Sequence, residues 1–508
     1  MATPIPKNCA ELTAWEVAAA TGGRIACLAV VRRPAVGFTT DTRTIEPGMA
    51  FVAIQGDTFD GHAFTGAAIE RGASLLVVRR DTPVVDAAPP NVDVIEVDDT
   101  LRAWGDIARA HLRRWRRESP HGPITIAVTG SSGKTTTKDF CAALLRRVGA
   151  CHATTGNLNN RVGVPAVALG VERETRFAVF EVGMSIPGEI ATLARVVEPD
   201  VAVLVNVGVA HAGGVGGTRA DVAREKGSLI EALGSRGVAV LNLDDEAAAA
   251  QGMRCGGVVR TFGRDPRADY RLAYRGAVGI HGSTVRIERL GERVEGHVPL
   301  LGEGAVIDFL AALAGAEAAL RTTLPADVIH SVLFDRAPLA GRARLVPLQN
   351  DIFILDDTYN ANPASMREAL AMLGEIADED GRRKVAVLGE MRELGPIAEE
   401  EHDALGVELS RVGVSLAIGC GGLMDRALER AATCGVQVVK ANTTEEAAQI
   451  ARALVRAGDA VLLKGSRWAA VEAVLETLIA EHGLATPRRE PHGHRQARRR
   501  APRPRGSR

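Results

Sequence analysis

Aromatic side chains make up only 4 % of this chain, and the apolar share of 46 % is carried by small and aliphatic residues. That balance speaks against a β-sandwich and for alternating strands and helices, an α/β class throughout. The seven cysteines, Cys9, Cys27, Cys141, Cys151, Cys255, Cys420 and Cys434, are scattered, with no Cys-x-x-Cys pair and no histidine cluster at metal-ligand spacing. This excludes a thiol-ligated zinc motif and reads as buried thiols in a reducing cytoplasm. Nowhere do eighteen apolar residues run uncharged, and Lys7, Glu11 and Glu16 interrupt the start. Neither a membrane span nor a signal peptide is expected, and the chain reads as cytoplasmic. It also lacks an internal repeat.

A net charge of −1 hides an asymmetry, because residues 488–508 hold nine arginines and one glutamate, which leaves about −9 for the body. With Pro487, Pro491, Pro502 and Pro504 and almost no apolar residues, this tail cannot pack a core and is expected to be disordered. It is either a solvated extension or an arm for nucleic acid or an anionic membrane surface. No nucleic acid is expected in the core function. At 508 residues the chain needs about three domains. Turn chemistry at Ser119-Pro120-His121-Gly122-Pro123 and Pro338-Leu339-Ala340-Gly341-Arg342 divides it into 1–120, 121–340 and 341–485, with the tail at 486–508. The first part alternates apolar runs (49–54, 74–78) with turns and closes on an Arg-rich helix over 101–117. The second holds nearly continuous apolar strands over 177–181, 201–206 and 238–242, and the third over 352–355, 384–388, 415–418 and 460–463, as parallel strands buried on both faces require.

The strand Ile124-Thr125-Ile126-Ala127-Val128-Thr129 empties into Gly130-Ser131-Ser132-Gly133-Lys134-Thr135-Thr136. A turn free of side-chain bulk at its glycines, followed by a helix, aims backbone amides and a positive helix end at a phosphate. Lys134 would reach the outer phosphates of a nucleoside triphosphate, and Thr135 or Thr136 would hold Mg²⁺. Val128 occupies the place of the usual first glycine, so the loop is a shortened variant. Ligands of such sheets sit beyond the carboxyl ends of the strands, here also Glu181, 206–211 and 242–245. Glu181 suits Mg²⁺ with phosphate oxygens completing the shell, or is a buried acid satisfied by amides. His211 is a metal ligand, a hydrogen-bonding group near the phosphates, or a structural histidine. Lys226 by itself reads as a solvated helix lysine.

Together these residues resemble the Mur ligase family of ATP-dependent amino-acid and peptide ligases. Thr155-Gly156-Asn157-Leu158-Asn159-Asn160-Arg161-Val162-Gly163-Val164-Pro165, Asp356-Asp357-Thr358-Tyr359-Asn360-Ala361-Asn362-Pro363 and Leu388-Gly389-Glu390-Met391-Arg392-Glu393-Leu394-Gly395 are similar to its D-alanyl-D-alanine-adding branch. The resemblance covers everything but the tail. It implies a small N-terminal α/β domain for the UDP end of a substrate, a central P-loop ATPase-like sheet and a C-terminal Rossmann-like domain. It implies ligation of UDP-N-acetylmuramoyl-tripeptide to D-alanyl-D-alanine through an acyl phosphate, with ATP and two Mg²⁺, by a monomer. In the family's pattern Lys134, Glu181, His211 and Lys226 carry the chemistry. Thr135, Glu181, His211 and a carbamylated Lys226 hold metal. Gly130 to Thr136, Asp308, Arg342, Asp357, Tyr359 and Asn360 hold ATP. Thr42, Arg43, Gly56, Asn159, Asn160, Lys464, Ser466 and Arg467 hold substrate, although Arg467 also reads as a surface ion pair. Asn362 and Pro363 shape their loop.

Two stretches depart from the family. Its Gly-x-His-x-x-x-Asn pattern, whose asparagine helps hold adenine, reads Gly302-Glu303-Gly304-Ala305-Val306-Ile307-Asp308 here, and aspartate keeps an acceptor but loses the amide donor. Ile186 stands where a polar residue is common. A tripeptide-forming sister ligase of the family adds diaminopimelate or lysine; its diaminopimelate-type members carry Asp-Asn-Pro-Arg in the third domain, and no such tetrapeptide occurs here. A silent nucleotide-binding module is the rival of another class.

Overall fold

The computed structural model describes residues 3–56, 59–80, 82–83, 88–209, 212–335 and 340–485. His211 and the tail from 486 lie outside the described residues. Three sheets with covering helices follow one another along the chain, in agreement with the α/β, three-domain expectation.

The N-terminal sheet has five strands in the order Arg24–Cys27, Asp93–Val97, Leu75–Arg79, Ala50–Val52, Phe38–Thr39. The first pairs antiparallel and the rest are parallel. The Arg-rich helix runs Thr100–Glu118, where the Asp99 carboxylate caps the amides of Leu101 and Arg102. Its arginines serve an internal contact. Arg109 and Arg113 grip Glu198, and Arg116 grips Asp200 at 3.0 Å. Its two tryptophans are buried and donate across the same boundary, Trp104 to the Val162 carbonyl at 3.0 Å and Trp115 to that of Thr175 at 2.9 Å. One apolar cluster therefore joins Val17 and Trp104 to Val164 and Leu193, fastening the first sheet to the second.

Nine strands form the central sheet. From Cys151–Ala153 the order is Phe177–Glu181, Ile124–Thr129, Val201–Leu204, Val238–Asn242, Val258–Gly263, Tyr270–Ala277, Ser283–Arg289 and Glu292–Val298. The last two pair antiparallel. Register places Val128 opposite Glu181 and Thr129 opposite Leu204, so three carboxyl ends finish level around the glycine loop. Helix Lys134–Arg146 leaves that loop and packs on Gly302–Leu320, with Phe140 and Phe309 edge to face at 5.2 Å. The third sheet orders Arg344–Leu348, Ile352–Asp357, Ala460–Lys464, Lys384–Gly389, Leu416–Cys420 and Gln437–Ala441, parallel except for its first pair.

A buried ion pair ties the antiparallel edge of the central sheet to its helix. Arg289 and Glu317 are 2 % and 3 % exposed, and Glu317 also accepts from the Tyr270 hydroxyl and the Leu324 amide, each at 2.8 Å. Removing one partner strands the other charge in the core. Glu317→Ala should lower stability by about 3–5 kcal/mol, read as an earlier thermal or urea transition, while Glu317→Gln, which keeps an acceptor, should cost less.

Candidate active site

The loop after Thr129 is made by two glycines that admit no substitute. A Cβ at Gly130 would sit 3.0 Å from Val205 Cβ, and one at Gly133, whose φ is +75°, would sit 2.1 Å from Asp308 Oδ1. Not every amide of the loop is available to an anion. Ser131 and Ser132 donate theirs to Asn206 Oδ1 at 3.0 and 2.9 Å, and Asn206 Nδ2 returns a bond to Ser132 Oγ at 2.9 Å. The amides that open the following helix, from Lys134 to Thr136, have no carbonyl within the helix to meet and form the anion-facing set. Asn206 is thus a latch for the loop; from sequence it was only a polar strand end.

Two lysines converge beneath the loop. Lys134 Nζ and Lys226 Nζ each donate to the Gly130 carbonyl at 2.9 Å. Lys226 is 1 % exposed, so it is not the solvated lysine that its helix position suggests. Burial drives its amine well below the ordinary lysine range, and the neighbouring Lys134 drives it further. Burial also lowers Lys134, against the pull of Glu181.

Glu181 closes its strand 2 % exposed, with Thr154 Oγ1 accepting from its amide at 2.9 Å. One carboxylate oxygen accepts from Thr135 Oγ1 at 2.6 Å and the other from Asn159 Nδ2 at 2.8 Å. Of the two threonines, Thr135 is the one joined to the acid.

The third domain faces this arrangement across a cavity of about 730 Å³. Asp357 accepts from the Ala343 amide at 3.1 Å and pairs with Lys464, which also donates to the Asn360 carbonyl at 2.9 Å. Arg342 stacks on the Tyr359 ring at 3.9 Å. Asn362 caps helix Pro363–Asp380 with Pro363 in its first turn, a loop-shaping role. The cavity gathers Ser131 to Thr136, Asn159, Asn160, Glu181, Lys226, Asp308, Arg342, Asp357, Tyr359, Asn360 and Lys464, and Gly130 joins through its carbonyl.

Other expected residues lie elsewhere. Thr42, Arg43 and Gly56 follow the adjacent parallel strands Phe38–Thr39 and Ala50–Val52 in the first domain, with Arg43 bound to Asp41 at 2.7 Å. Ser466 lines a smaller cavity of about 180 Å³ beside Arg392 and Trp468. Arg467 pairs with Glu472 at 3.1 Å, the ion pair of its plainer reading, and its guanidinium also lies 5.9 Å from the ring of Tyr359, which lines the large cavity. Glu368 and the Arg275–Glu375 pair, which also line the large cavity, carried no sequence signal because nothing local distinguishes them from helix or strand surface.

Among the described residues no group of three histidine, cysteine or acidic side chains could cage a metal. One carboxylate and one hydroxyl are instead the hard, sparse donor set that suits Mg²⁺, which keeps waters and takes substrate phosphates. No helix among the described residues is long and apolar enough to cross a membrane.

The chain is similar to known proteins along all three domains. Residues 35–112 match the domain described as "Mur ligase family, catalytic domain", 128–316 the Mur ligase middle domain, and 341–467 the "Mur ligase, glutamate ligase domain". The UDP-N-acetylmuramoyl-tripeptide–D-alanyl-D-alanine ligase of Bacillus subtilis is 32 % identical over 87 % of this chain and 93 % of its own. That of Mycobacterium bovis is 33 % identical over 93 % and 98 %. Crystalline MurF from Acinetobacter baumannii superposes with a TM-score of 0.82 at 28 % identity, covering 94 % of this chain and all of its own. MurF from Thermotoga maritima, in complex with ADP, gives 0.75 at 27 % over 87 % and 97 %. With most of its length matched by the family's domains and by relatives above 30 % identity, the chain belongs to the Mur ligase family.

Proposed function

We propose that this chain joins the terminal carboxylate of UDP-N-acetylmuramoyl-tripeptide to the amine of D-alanyl-D-alanine, converting ATP to ADP and phosphate. Whole-length similarity to ligases of that name supports the substrates. The observation that carries the chemistry is the meeting of Lys134, Thr135, Glu181 and Lys226 with Asp357 and Lys464 in one cavity. In this reading residues 1–120 hold the UDP end, 121–340 the nucleotide, and 341–485 close over it.

A carboxylate acylates poorly because oxide would have to leave. Its oxygen therefore attacks the γ-phosphorus, the bond to the β-phosphate oxygen breaks, and ADP departs. Two anions must approach, so positive charge and oriented amides have to offset their repulsion. Lys134 and the amides from Lys134 to Thr136 grip the β- and γ-phosphates, and Asn206 holds the loop in shape. Thr135 and Glu181 are the residues that would hold Mg²⁺, which when bound neutralises phosphate charge. The dipeptide amine then attacks the acyl carbon and loses a proton, and phosphate leaves with its bonding pair. Lys464, fixed by Asp357, presents positive charge from the third domain to the same space.

For Lys226 the proposal is carbamylation. Burial pushes this amine toward the neutral form, whose lone pair is free for carbon dioxide, and the carbamate would turn a cation into an acidic metal donor. Lys226→Ala should lower turnover at least a hundredfold, with no recovery in high bicarbonate. In ¹³C-bicarbonate the parent protein should show a carbamate resonance that the variant lacks, and full activity of the variant would remove Lys226 from the site.

Phosphate release with Mg-ATP and the UDP-tripeptide, with and without D-alanyl-D-alanine, tests the reaction. Release should depend on the dipeptide, and the product should gain the mass of the dipeptide less water. Release supported by a single amino acid instead would make the chain a tripeptide-forming ligase.

A further inference from the structure

The cavity is longer than a triphosphate. Asp308 abuts Gly133, and following its helix back by 1.5 Å per residue leads about 6 Å to Gly304 and about 10 Å to Leu301. With phosphates on the glycine loop, a nucleotide base falls at this distance. The apolar part of the lining there is Leu301 and Ile280 from the central domain and Met372 from the third. A flat ring fits between such walls, but apolar walls cannot tell one purine from another. Discrimination needs a polar group at the edge of the base.

Several acids surround this end, and all but one have partners. Glu303 pairs with Arg264, Glu375 is held by both Arg275 terminal nitrogens at 2.7 Å, and Asp357 pairs with Lys464. Glu368 extends into the cavity from helix Pro363–Asp380, one turn before Met372, and no hydrogen bond from a described residue reaches its carboxyl. Burial pushes that carboxyl above the usual range; Lys464 opposes this, while Asp357 and Glu303 add to it. Its position depends on the glycine opposite, since a Cβ at Gly304 would lie 3.0 Å from Glu368 Oε2 and a larger side chain would take its place. The substitution that removes the family's histidine thus opens the space into which Glu368 points.

We propose that Glu368 reads the exocyclic amine of the bound purine, accepting its hydrogen bond and setting a preference for 6-aminopurine nucleotides. Hypoxanthine presents an oxygen at the same ring position and meets the carboxylate as acceptor against acceptor. The proposal rests on the nucleotide-binding reading of the cavity and is independent of which amine is ligated.

The test is calorimetric titration of the full chain with ADP, IDP and GDP in magnesium buffer, without acceptor dipeptide. The parent protein should favour ADP over IDP by roughly tenfold or more, the worth of one charge-assisted hydrogen bond. Glu368→Gln, whose amide can turn either its oxygen to the amine or its NH₂ to the hypoxanthine oxygen, should bring the two within about twofold. Gly304→Ala leaves the carboxyl in place, favours the helix and crowds Oε2, and should also narrow the ratio. An unchanged ADP preference in Glu368→Gln would overturn the proposal, as would a parent protein that does not distinguish the two or that binds GDP more tightly than ADP. Failure to bind any nucleotide would overturn both this assignment and the nucleotide reading, whereas tight ADP binding without discrimination overturns only this one.

Discussion

Two amines share one carbonyl at the base of this site, and that constraint governs what surrounds it. With both nitrogens 2.9 Å from the Gly130 oxygen, they lie no more than about 5.8 Å apart. Two full charges at that separation repel by about 3 kcal/mol at an effective dielectric near 20, besides the cost of burying each. The pair is tolerable only if one amine is neutral or an anion lies against the other. Lys226, the more deeply enclosed, is the one driven further toward neutrality, while Lys134, also lowered by burial, has Glu181 and Asp308 to support its charge. A pocket built in this way is incomplete without phosphate.

The interfaces around the pocket differ in kind. Between the first and second domains, buried tryptophans, three arginines and a shared apolar core hold the two sheets together. The second and third domains meet around the cavity through point contacts. Arg275 binds Glu375, Met372 packs on Gly302, where a Cβ would lie 2.5 Å from Met372 Cγ, and Gly213 approaches Gly395. Few apolar contacts and exchangeable ion pairs suit a boundary that opens for substrates and closes for chemistry. In the proposed reading the first two domains act as a platform and the third as the moving part.

What could be read from sequence follows burial. Central strands such as Phe177–Glu181 and Ala460–Lys464 are buried at every residue, so their apolar runs announced them. The edge strands Arg344–Leu348, Gln437–Ala441 and the hairpin Ser283–Val298 went unread because they are half exposed and carry mixed polarity. The phosphate loop was legible because its chemistry is local, with glycines, lysine and threonine consecutive in the chain. Residues that meet only through folding were not. The latch of Asn206, the burial of Lys226 and the isolation of Glu368 are set by neighbours 74, 96 and about 64 residues away. Ser466 adjoins a separate small cavity because the strand ends at Lys464 and the chain turns away there.

The departures at Gly304 and Asp308 have different consequences because they lie at different depths along one helix. Asp308 reaches the loop, where Gly133 alone can accommodate it, so its carboxylate adds to the field felt by Lys134. Gly304, one turn earlier, faces the third domain, and its missing side chain lets that domain's acid enter the cavity. In the proposed reading the phosphate end of a bound nucleotide is held by the central domain, while its base end depends on an acid of the third. A ligand that gains contacts from both domains binds their closed arrangement better than the open one, and by that differential alone it draws them together. Closure is thereby linked to filling the far end of the cavity, so that inorganic phosphates, which satisfy the loop and its lysines, lack the contact that favours the assembled site.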